Sequence, residues 1–334
     1  MKRHNNLFDL IIAEDNIELA YRKARKGKTK KPSVKKFIQN EKQNLYHIQG
    51  LLLSGKFTTS SYSVKRIYEP KEREIFILPF SPDRIVQHAI MNVLEPIWDD
   101  LLISDSYACR IGKGIHKGSI RTMEFIRRNK YCLKMDISKF YPSMCHSILF
   151  NIIKKKIKCA RTLKLLEDII YSISGGKNIP IGNYTSQWFG NLYLNELDQF
   201  LKHILKIKDY IRYCDDFLCF SNSKVLLKDI SIKLQDFVWS KLRLILSKCD
   251  LFPISRGVDF LGYRHFRNYI LLRKSTAKRV IRRLKLLPLL LKSGSISKES
   301  YISSLASTKG WLQWANSYNF RIKLQLQNLQ SEVL

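Results

Sequence analysis

Two adjacent carboxylates, Asp215 and Asp216, lie between Ile211-Arg212-Tyr213-Cys214 and Phe217-Leu218-Cys219-Phe220, a pattern suited to metal chemistry. Ile, Tyr and Phe favour the pleated state and neither flank contains Pro or Gly, so the stretch reads as a hairpin turning at or just after the two Asp. Alternation along a strand would put Tyr213 on one face with Asp215, and Cys214 on the other with Asp216. Carboxylates this close repel by several kcal/mol at an intermediate dielectric unless a cation lies between them. Mg²⁺, which takes oxygen ligands, answers that requirement; a merely polar turn is the other reading, because Asp is a common turn residue. A third acid, Asp136, ends the apolar run Tyr131-Cys132-Leu133-Lys134-Met135-Asp136-Ile137. A carboxylate at the end of a buried strand needs a metal or a cationic partner, and the residues alone leave both open.

The scaffold for these acids follows from the surrounding pattern. Residues 5–26 and 38–54 read as helices, separated by a basic run from Arg22 to Lys36 with nine Lys or Arg and no acid. That run is a phosphate-backbone contact or a solvated charged face. Strand-like segments Tyr62–Tyr68 and Glu74–Leu78, joined by Glu69-Pro70-Lys71-Glu72-Arg73, predict a hairpin. Ser81-Pro82-Asp83 predicts a helix start, with Ser as cap, and the helix should end before Pro96. Residues 146–173 read as helical, and a Gly-Ser loop, Ile181 to Gln187, leads into a helix with Phe189, Leu192, Tyr193, Leu197, Phe200 and Ile204 on its core stripe. Residues 224–246 predict an amphipathic helix. From 266 to 298 there is no acid; Ser275 can cap a helix with Val280, Leu284 and Leu287 on one side, Arg279, Arg282 and Arg283 on the other, and a break at Pro288. The Gly112-Lys113-Gly114 loop lacks the spacing of a phosphate-binding P-loop.

Composition narrows the class of partner. The 334 residues are 45% hydrophobic, ordinary for a globular protein, but 59 Lys+Arg against 28 Asp+Glu give a net charge of +31. Such an excess self-repels and points to a polyanion, nucleic acid before a membrane surface, because no lipid-anchor or amphipathic signal accompanies it. The seven Cys form no CxxC pair, so a zinc site is not expected and they read as reduced, buried thiols of a cytoplasmic protein. No signal peptide or membrane-length apolar run is expected.

Three elements now stand in order: the strand ending at Asp136, the Gly-Ser loop, and the Asp215-Asp216 hairpin. Their order resembles the palm of reverse transcriptases. Lys134-Met135-Asp136-Ile137-Ser138-Lys139-Phe140-Tyr141 is similar to that family's first catalytic motif, and Tyr213-Cys214-Asp215-Asp216 to its tyrosine-x-Asp-Asp box. Phe260-Leu261-Gly262-Tyr263 resembles the primer-grip turn, while Leu78 to Ala89 and Ser106 to Arg110 resemble the fingers motifs of bacterial members. The resemblance spans roughly residues 60–320. It implies an α+β right-hand polymerase: N-terminal helices and fingers over 1–130, a palm with an antiparallel sheet over 131–265 with a fingers insertion at about 146–178, and a helical thumb over 266–334. In Ile181-Gly182-Asn183-Tyr184-Thr185-Ser186-Gln187, Ile181 stands where most members carry Gln, and Gln187 where they carry Pro. That form resembles the reverse transcriptases of diversity-generating retroelements. It implies copying of a template-repeat RNA into cDNA with errors at template adenines, and a small, basic, oligomeric accessory variability protein as partner.

The resemblance also implies roles. Asp136 and Asp215 would hold two Mg²⁺ ions, with Mn²⁺ as a substitute, aided by the carbonyl of Ile137; Asp216 would be a partial ligand or a support of the turn. Tyr141 would pack under the sugar of the incoming dNTP and exclude a 2′-hydroxyl, with Phe140 as the core-facing alternative. Lys71, Arg73 and Lys248 would meet the triphosphate, and Ile181, Gly182 and Gln187 would border the nucleotide. Gly262, Tyr263, Arg279, Arg282 and Arg283 would grip the RNA/DNA hybrid. A group II intron or retron reverse transcriptase is the nearest alternative, against which stand Ile181, Gln187 and the little chain expected beyond the thumb. A non-catalytic RNA-binding protein on a decayed polymerase fold is the alternative of another class, against which stand the three Asp.

Overall fold

In the computed structural model, residues 3–68 and 71–324 are described; Glu69 and Pro70 of the expected hairpin connection lie outside them. The chain runs through α1 (Leu7–Ile12), α2 (Glu14–Arg25), α3 (Pro32–Gln39), α4 (Glu41–Leu53), β1 (Ser63–Ile67), β2 (Arg73–Ile77), α5 (Ile85–Asp99) and α6 (Ile115–Arg128). There follow β3 (Tyr131–Ile137), α7 (Phe140–Ser143), α8 (His146–Lys154), α9 (Ala160–Ile170), α10 (Tyr184–Gln199), β4 (Tyr210–Tyr213), β5 (Asp216–Ser221) and α11 (Lys224–Leu242). The remainder is β6 (Leu246–Pro253), β7 (Val258–Phe260), β8 (Tyr263–His265), β9 (Ile270–Leu272), α12 (Lys274–Lys292), α13 (Lys298–Gln313) and α14 (Tyr318–Lys323). These elements form two compact units, the first made of residues 1–109, 136–207 and 232–247, the second of 110–135, 208–231 and 248–334.

In the first unit α5 packs on α2 and α10, and α10 also packs on α8. The expected helix over 5–26 is two helices, because Ala13 leaves the helical region at ψ 138° and Asn16 Nδ2 donates to the carbonyl of Ile11 at 2.8 Å. The basic run contributes a helix of its own: Pro32 suits a first turn, and Val34 and Phe37 bury one face, Phe37 lying 5.1 Å from the Tyr21 ring. Residues 146–173 likewise divide, into α8 and α9. Pro96 does not end α5. A proline inside a helix costs about 3 kcal/mol, and here the fully buried Trp98, 6.0 Å from the Phe189 ring, holds the last turn in place. Ser81 does not cap that helix either; it is extended, and the buried Asp83 accepts from the Ser60 N–H at 2.9 Å. The α10 stripe buries Phe189, Leu192, Tyr193 and Leu197, but Ile204, beyond the helix end, is exposed.

The second unit is built on a sheet of order β4-β5-β3-β6, with β4 and β5 antiparallel, and on a small antiparallel sheet β7-β8-β9. Helix α12 buries Val280, Leu284 and Leu287 against Tyr301, Leu305 and Leu312 of α13. It begins at Lys274, so Ser275 is not its cap, and it continues through Pro288 because Leu287 and Leu291 pack on that cluster on either side. Helix α11 stops at Leu242, four residues short of the expected end. Of the seven thiols, Cys132, Cys159 and Cys219 are buried as expected, whereas Cys145, Cys214 and Cys249 are half-buried and Cys109 is exposed. Among the described residues no helix is long and apolar enough to cross a membrane.

Candidate active site: a carboxylate hairpin and a carboxylate strand end

The hairpin turns one residue earlier than expected. Tyr213 pairs directly with Asp216, leaving Cys214 and Asp215 as the two turn residues. Cross-strand partners share a face, so Asp216 sides with Tyr213, and Asp215 stands at the tip. Cys214 takes a positive φ of 52°, a conformation that costs a non-glycine residue roughly 1–2 kcal/mol. The fully buried Arg212 holds the turn in that shape, its guanidinium donating to the Cys214 carbonyl at 3.1 Å. The two neighbouring acids are thereby separated: one half-buried at a turn position, the other half-buried at the head of β5.

Lys134 meets Asp216. On β3 the side chains of Cys132, Lys134 and Asp136 share a face while Leu133, Met135 and Ile137 are buried on the other. The Lys134 ammonium stands 3.3 Å from the Asp216 carboxylate and donates to the Asp259 carbonyl at 2.6 Å. The side chains are only 16% and 28% exposed, so the pair is weakly screened by solvent.

Asp136, where β3 passes into the first unit, is half-buried. Ser247 Oγ lies 3.2 Å from both its carbonyl and its carboxylate Oδ2. The Ser138 N–H donates to the Ile245 carbonyl at 2.8 Å, and Lys139 turns the chain at φ 43° into α7. Phe140 is then buried and Tyr141 half-exposed. Both rings press on Gly190 of α10, where a Cβ would stand 3.2 Å from each.

The loop before α10 is joined to the β1–β2 hairpin. The Phe76 N–H donates to the Ile181 carbonyl at 2.7 Å, and Gly182, at φ 129°, comes so close that a Cβ there would be 2.2 Å from the Phe76 carbonyl oxygen. Only glycine fits this approach. Asn183 Nδ2 donates to the Tyr62 hydroxyl at 2.8 Å, and Tyr62 meets Phe76 edge-on at 5.7 Å. Tyr184 stacks on His88 at 4.3 Å; burial pushes the Tyr184 phenol up to about 12, and burial together with Lys28, Lys23 and Arg84 pushes His88 down to about 4. Ile181 is half-buried, Gln187 is exposed on the first turn of α10, and Lys71 and Arg73 are exposed at the start of the hairpin's second arm.

In the second unit Lys248 is exposed on β6, and Arg279, Arg282 and Arg283 are exposed on α12, Arg283 donating to Ser304 Oγ at 3.2 Å. Gly262 and Tyr263 form an anchor. Tyr263 is fully buried, stacks on Trp311 at 5.0 Å and donates to its carbonyl; burial pushes its phenol up to about 12. The Arg273 N–H and the Thr276 hydroxyl both donate to the Gly262 carbonyl, which ties the turn to the start of α12. A Tyr263 side chain so enclosed has no surface to offer a nucleic acid; it sets the position of the turn.

The structure therefore brings Ile181 and Gly182 onto the hairpin that carries Lys71 and Arg73, and Gly262 onto α12. Lys134, Arg212, Ser247 and Gly190 are supports that the sequence reading missed. Lys134 lay within a quoted motif, and a lysine in an otherwise apolar strand signals a buried acidic partner; nothing local marked Ser247. Among the described residues no group of three or more His, Cys, Asp or Glu is arranged to hold a metal by itself. Mg²⁺ takes one or two carboxylates and completes its shell from substrate phosphates and water, so a half-buried carboxylate at a strand end, such as Asp136, or at a turn, such as Asp215, is by itself of the right chemical kind.

A solved structure shares the fold. An apo telomerase from Candida Tropicalis, truncated from its C-terminal domain, superposes with a TM-score of 0.50 at 12% identity, over 70% of this chain and 60% of that one. The fold is that of a right-hand polymerase. The sequence profile described as Reverse transcriptase (RNA-dependent DNA polymerase) matches residues 70–265, more than half of the chain, including all three acids. The chain belongs to the reverse transcriptase family. Among its relatives, Protein YkfC of Escherichia coli (strain K12) is 26% identical over 267 residues, 65% of this chain and 69% of that protein. Group II intron-encoded protein LtrA of Lactococcus lactis subsp. cremoris is 24% identical over 190 residues, 52% of this chain but only 29% of LtrA.

Proposed function

We propose that this protein copies an RNA template into DNA from dNTPs, with Asp136 and Asp215 as the carboxylates that hold divalent metal ions. The observation that carries this reading is the hairpin with Asp215 at its tip, inside the span that matches the family. Two divalent ions, Mg²⁺ with Mn²⁺ as a substitute, would neutralise charge as a 3′-oxygen attacks and pyrophosphate leaves. The chain's own groups position them: Arg212 fixes the carbonyl of the turn, Ser247 holds the Asp136 carboxylate, and the Ile137 carbonyl follows on the same strand end. In this reading Asp216 supports the hairpin through Lys134. Tyr141, half-exposed over Gly190, is the aromatic that excludes a 2′-hydroxyl. Lys71, Arg73 and Lys248 receive the triphosphate, and the α12 arginines grip the phosphates of the RNA/DNA hybrid.

We further propose that the template is the template-repeat RNA of a diversity-generating retroelement, copied with adenine-biased errors in company with a basic, oligomeric accessory protein. Ile181 and Gln187 support this, because an aliphatic Ile181 cannot make the hydrogen bond that a Gln would make to the nucleotide. A group II intron-type enzyme is the second reading, favoured by the relatives that match over the polymerase region. Primer extension on RNA separates function from fold: Asp215→Asn is expected to abolish Mg²⁺-dependent dNTP incorporation while leaving RNA affinity within about twofold, and retained synthesis would refute the metal assignment. Sequenced cDNA with no excess of errors at template adenines would reject the retroelement subtype and leave the intron type.

A further inference from the structure

A cavity of about 480 Å³ opens in the second unit, between the α6–β3 loop, the β6–β7 turn and the hairpin loop Phe266–Tyr269 that joins β8 to β9. It lies at the beginning of β3, where Tyr131 lines it, and none of its residues has a part in the polymerase reading. Phe266 and Tyr269 stack at 4.7 Å and 23°, and the Phe266 N–H donates to the Tyr269 carbonyl at 2.9 Å, closing the loop. Gly257 makes room for this stack: a Cβ there would stand 2.7 Å from the Phe266 ring. The loop is tied to the end of α6 twice, by Arg267 donating to the Asn129 carbonyl at 3.2 Å and by Arg127 donating to the Arg267 carbonyl at 3.4 Å. The Ile254 N–H donates to the Lys130 carbonyl at 2.9 Å and fixes the opposite wall. Tyr269 is 43% exposed, Lys130 and Arg267 are exposed, and no acid is among the lining residues.

We propose that this cavity binds one unpaired nucleotide of a single strand, its base on the Phe266–Tyr269 stack and its phosphate on Lys130 and Arg267. An exposed aromatic face beside unopposed cations is the combination that single strands use, since every base has a π-face and every link a charge. A duplex hides its bases and gives the stack nothing to hold, and an acidic peptide would use the cations but leave the aromatic platform idle. The volume falls within the roughly 300–1,000 Å³ of small-molecule sites. Anchoring at both walls means that little order is gained on binding, so little is subtracted from the affinity. The inference extends the polymerase reading by giving the template or the growing strand a further hold on the second unit, and it does not depend on the metal ligands.

The test uses the full chain with short unprimed oligonucleotides carrying 5-iodouridine or 5-iododeoxyuridine, photocrosslinked and mapped by mass spectrometry. A crosslink at Phe266 or Tyr269 is expected; the RNA and DNA arms distinguish template from product strand. Tyr269→Ala should lose the crosslink and weaken single-strand binding about fivefold or more, and Tyr269→Trp should restore both. Asp215→Asn should keep the crosslink while losing synthesis, so failure of either reading is seen separately. No crosslink in this loop with either strand, or Tyr269→Ala binding like the parent, overturns the proposal, as would competition by an acidic peptide or a duplex but not by a single strand.

Discussion

Removing Lys134 tests the division of labour between the two neighbouring acids. At 3.3 Å the Lys134–Asp216 attraction amounts to about 5 kcal/mol at an effective dielectric near 20. Desolvation of two largely buried groups offsets much of that, leaving a net coupling of about 1–3 kcal/mol. Lys134 also donates to the Asp259 carbonyl, so the single substitution Lys134→Met removes two interactions. A double-mutant cycle cancels the second: stability is measured by urea unfolding for the parent, Lys134→Met, Asp216→Asn and the double variant. The coupling is expected at about 1–3 kcal/mol, and 0.5 M salt should change it little, because the pair is shielded. In parallel, primer extension by Asp216→Asn should fall far less than that by Asp215→Asn. A coupling below about 0.5 kcal/mol, or loss of synthesis equal to that of Asp215→Asn, would refute the reasoning and make Asp216 a metal ligand first.

Three further outcomes are expected. Gly182→Ala should strain the backbone and break the Phe76–Ile181 hydrogen bond, costing about 2–4 kcal/mol; faster hydrogen exchange at the Phe76 amide and a raised KM for dNTP check it. Ile181→Gln should lower misincorporation opposite template adenine by about fivefold, the worth of one hydrogen bond, and an unchanged error spectrum in sequenced cDNA would discard that role. His265 is fully buried and, by burial, pushed down to about 4. Its Nδ1 faces the Val258 carbonyl and so carries the proton, while Ser119 donates to Nε2. The folded state then binds fewer protons than the unfolded one between pH 6.5 and 4, so His265 costs stability as pH falls through that window, by about 3 kcal/mol at most. His265→Gln should flatten this dependence in unfolding measured across that range.

The sequence by itself determined which residues have types and spacing suited to metal chemistry and the order in which the elements follow. Hydrophobic alternation and turn chemistry are local, so the strand ending at Asp136, the carboxylate hairpin and the basic face of α12 were all legible. Proline was the least reliable guide: Pro96 and Pro288 read as helix ends, but the buried Trp98 and the leucines around Pro288 outweigh a local penalty. The hairpin's turn could not be placed within one residue either, because Cys214 at positive φ depends on the buried Arg212 beneath it, and propensity alone gives no reason for a cysteine there. Whether Tyr263 was a surface or an anchor depended on Trp311, 48 residues away in sequence. Partners were the part that only tertiary structure decided. Lys134 for Asp216, Ser247 for Asp136 and Phe76 for Gly182 are contacts between residues distant in the chain, and the energy that selects them comes from desolvation and close packing, which no local pattern records.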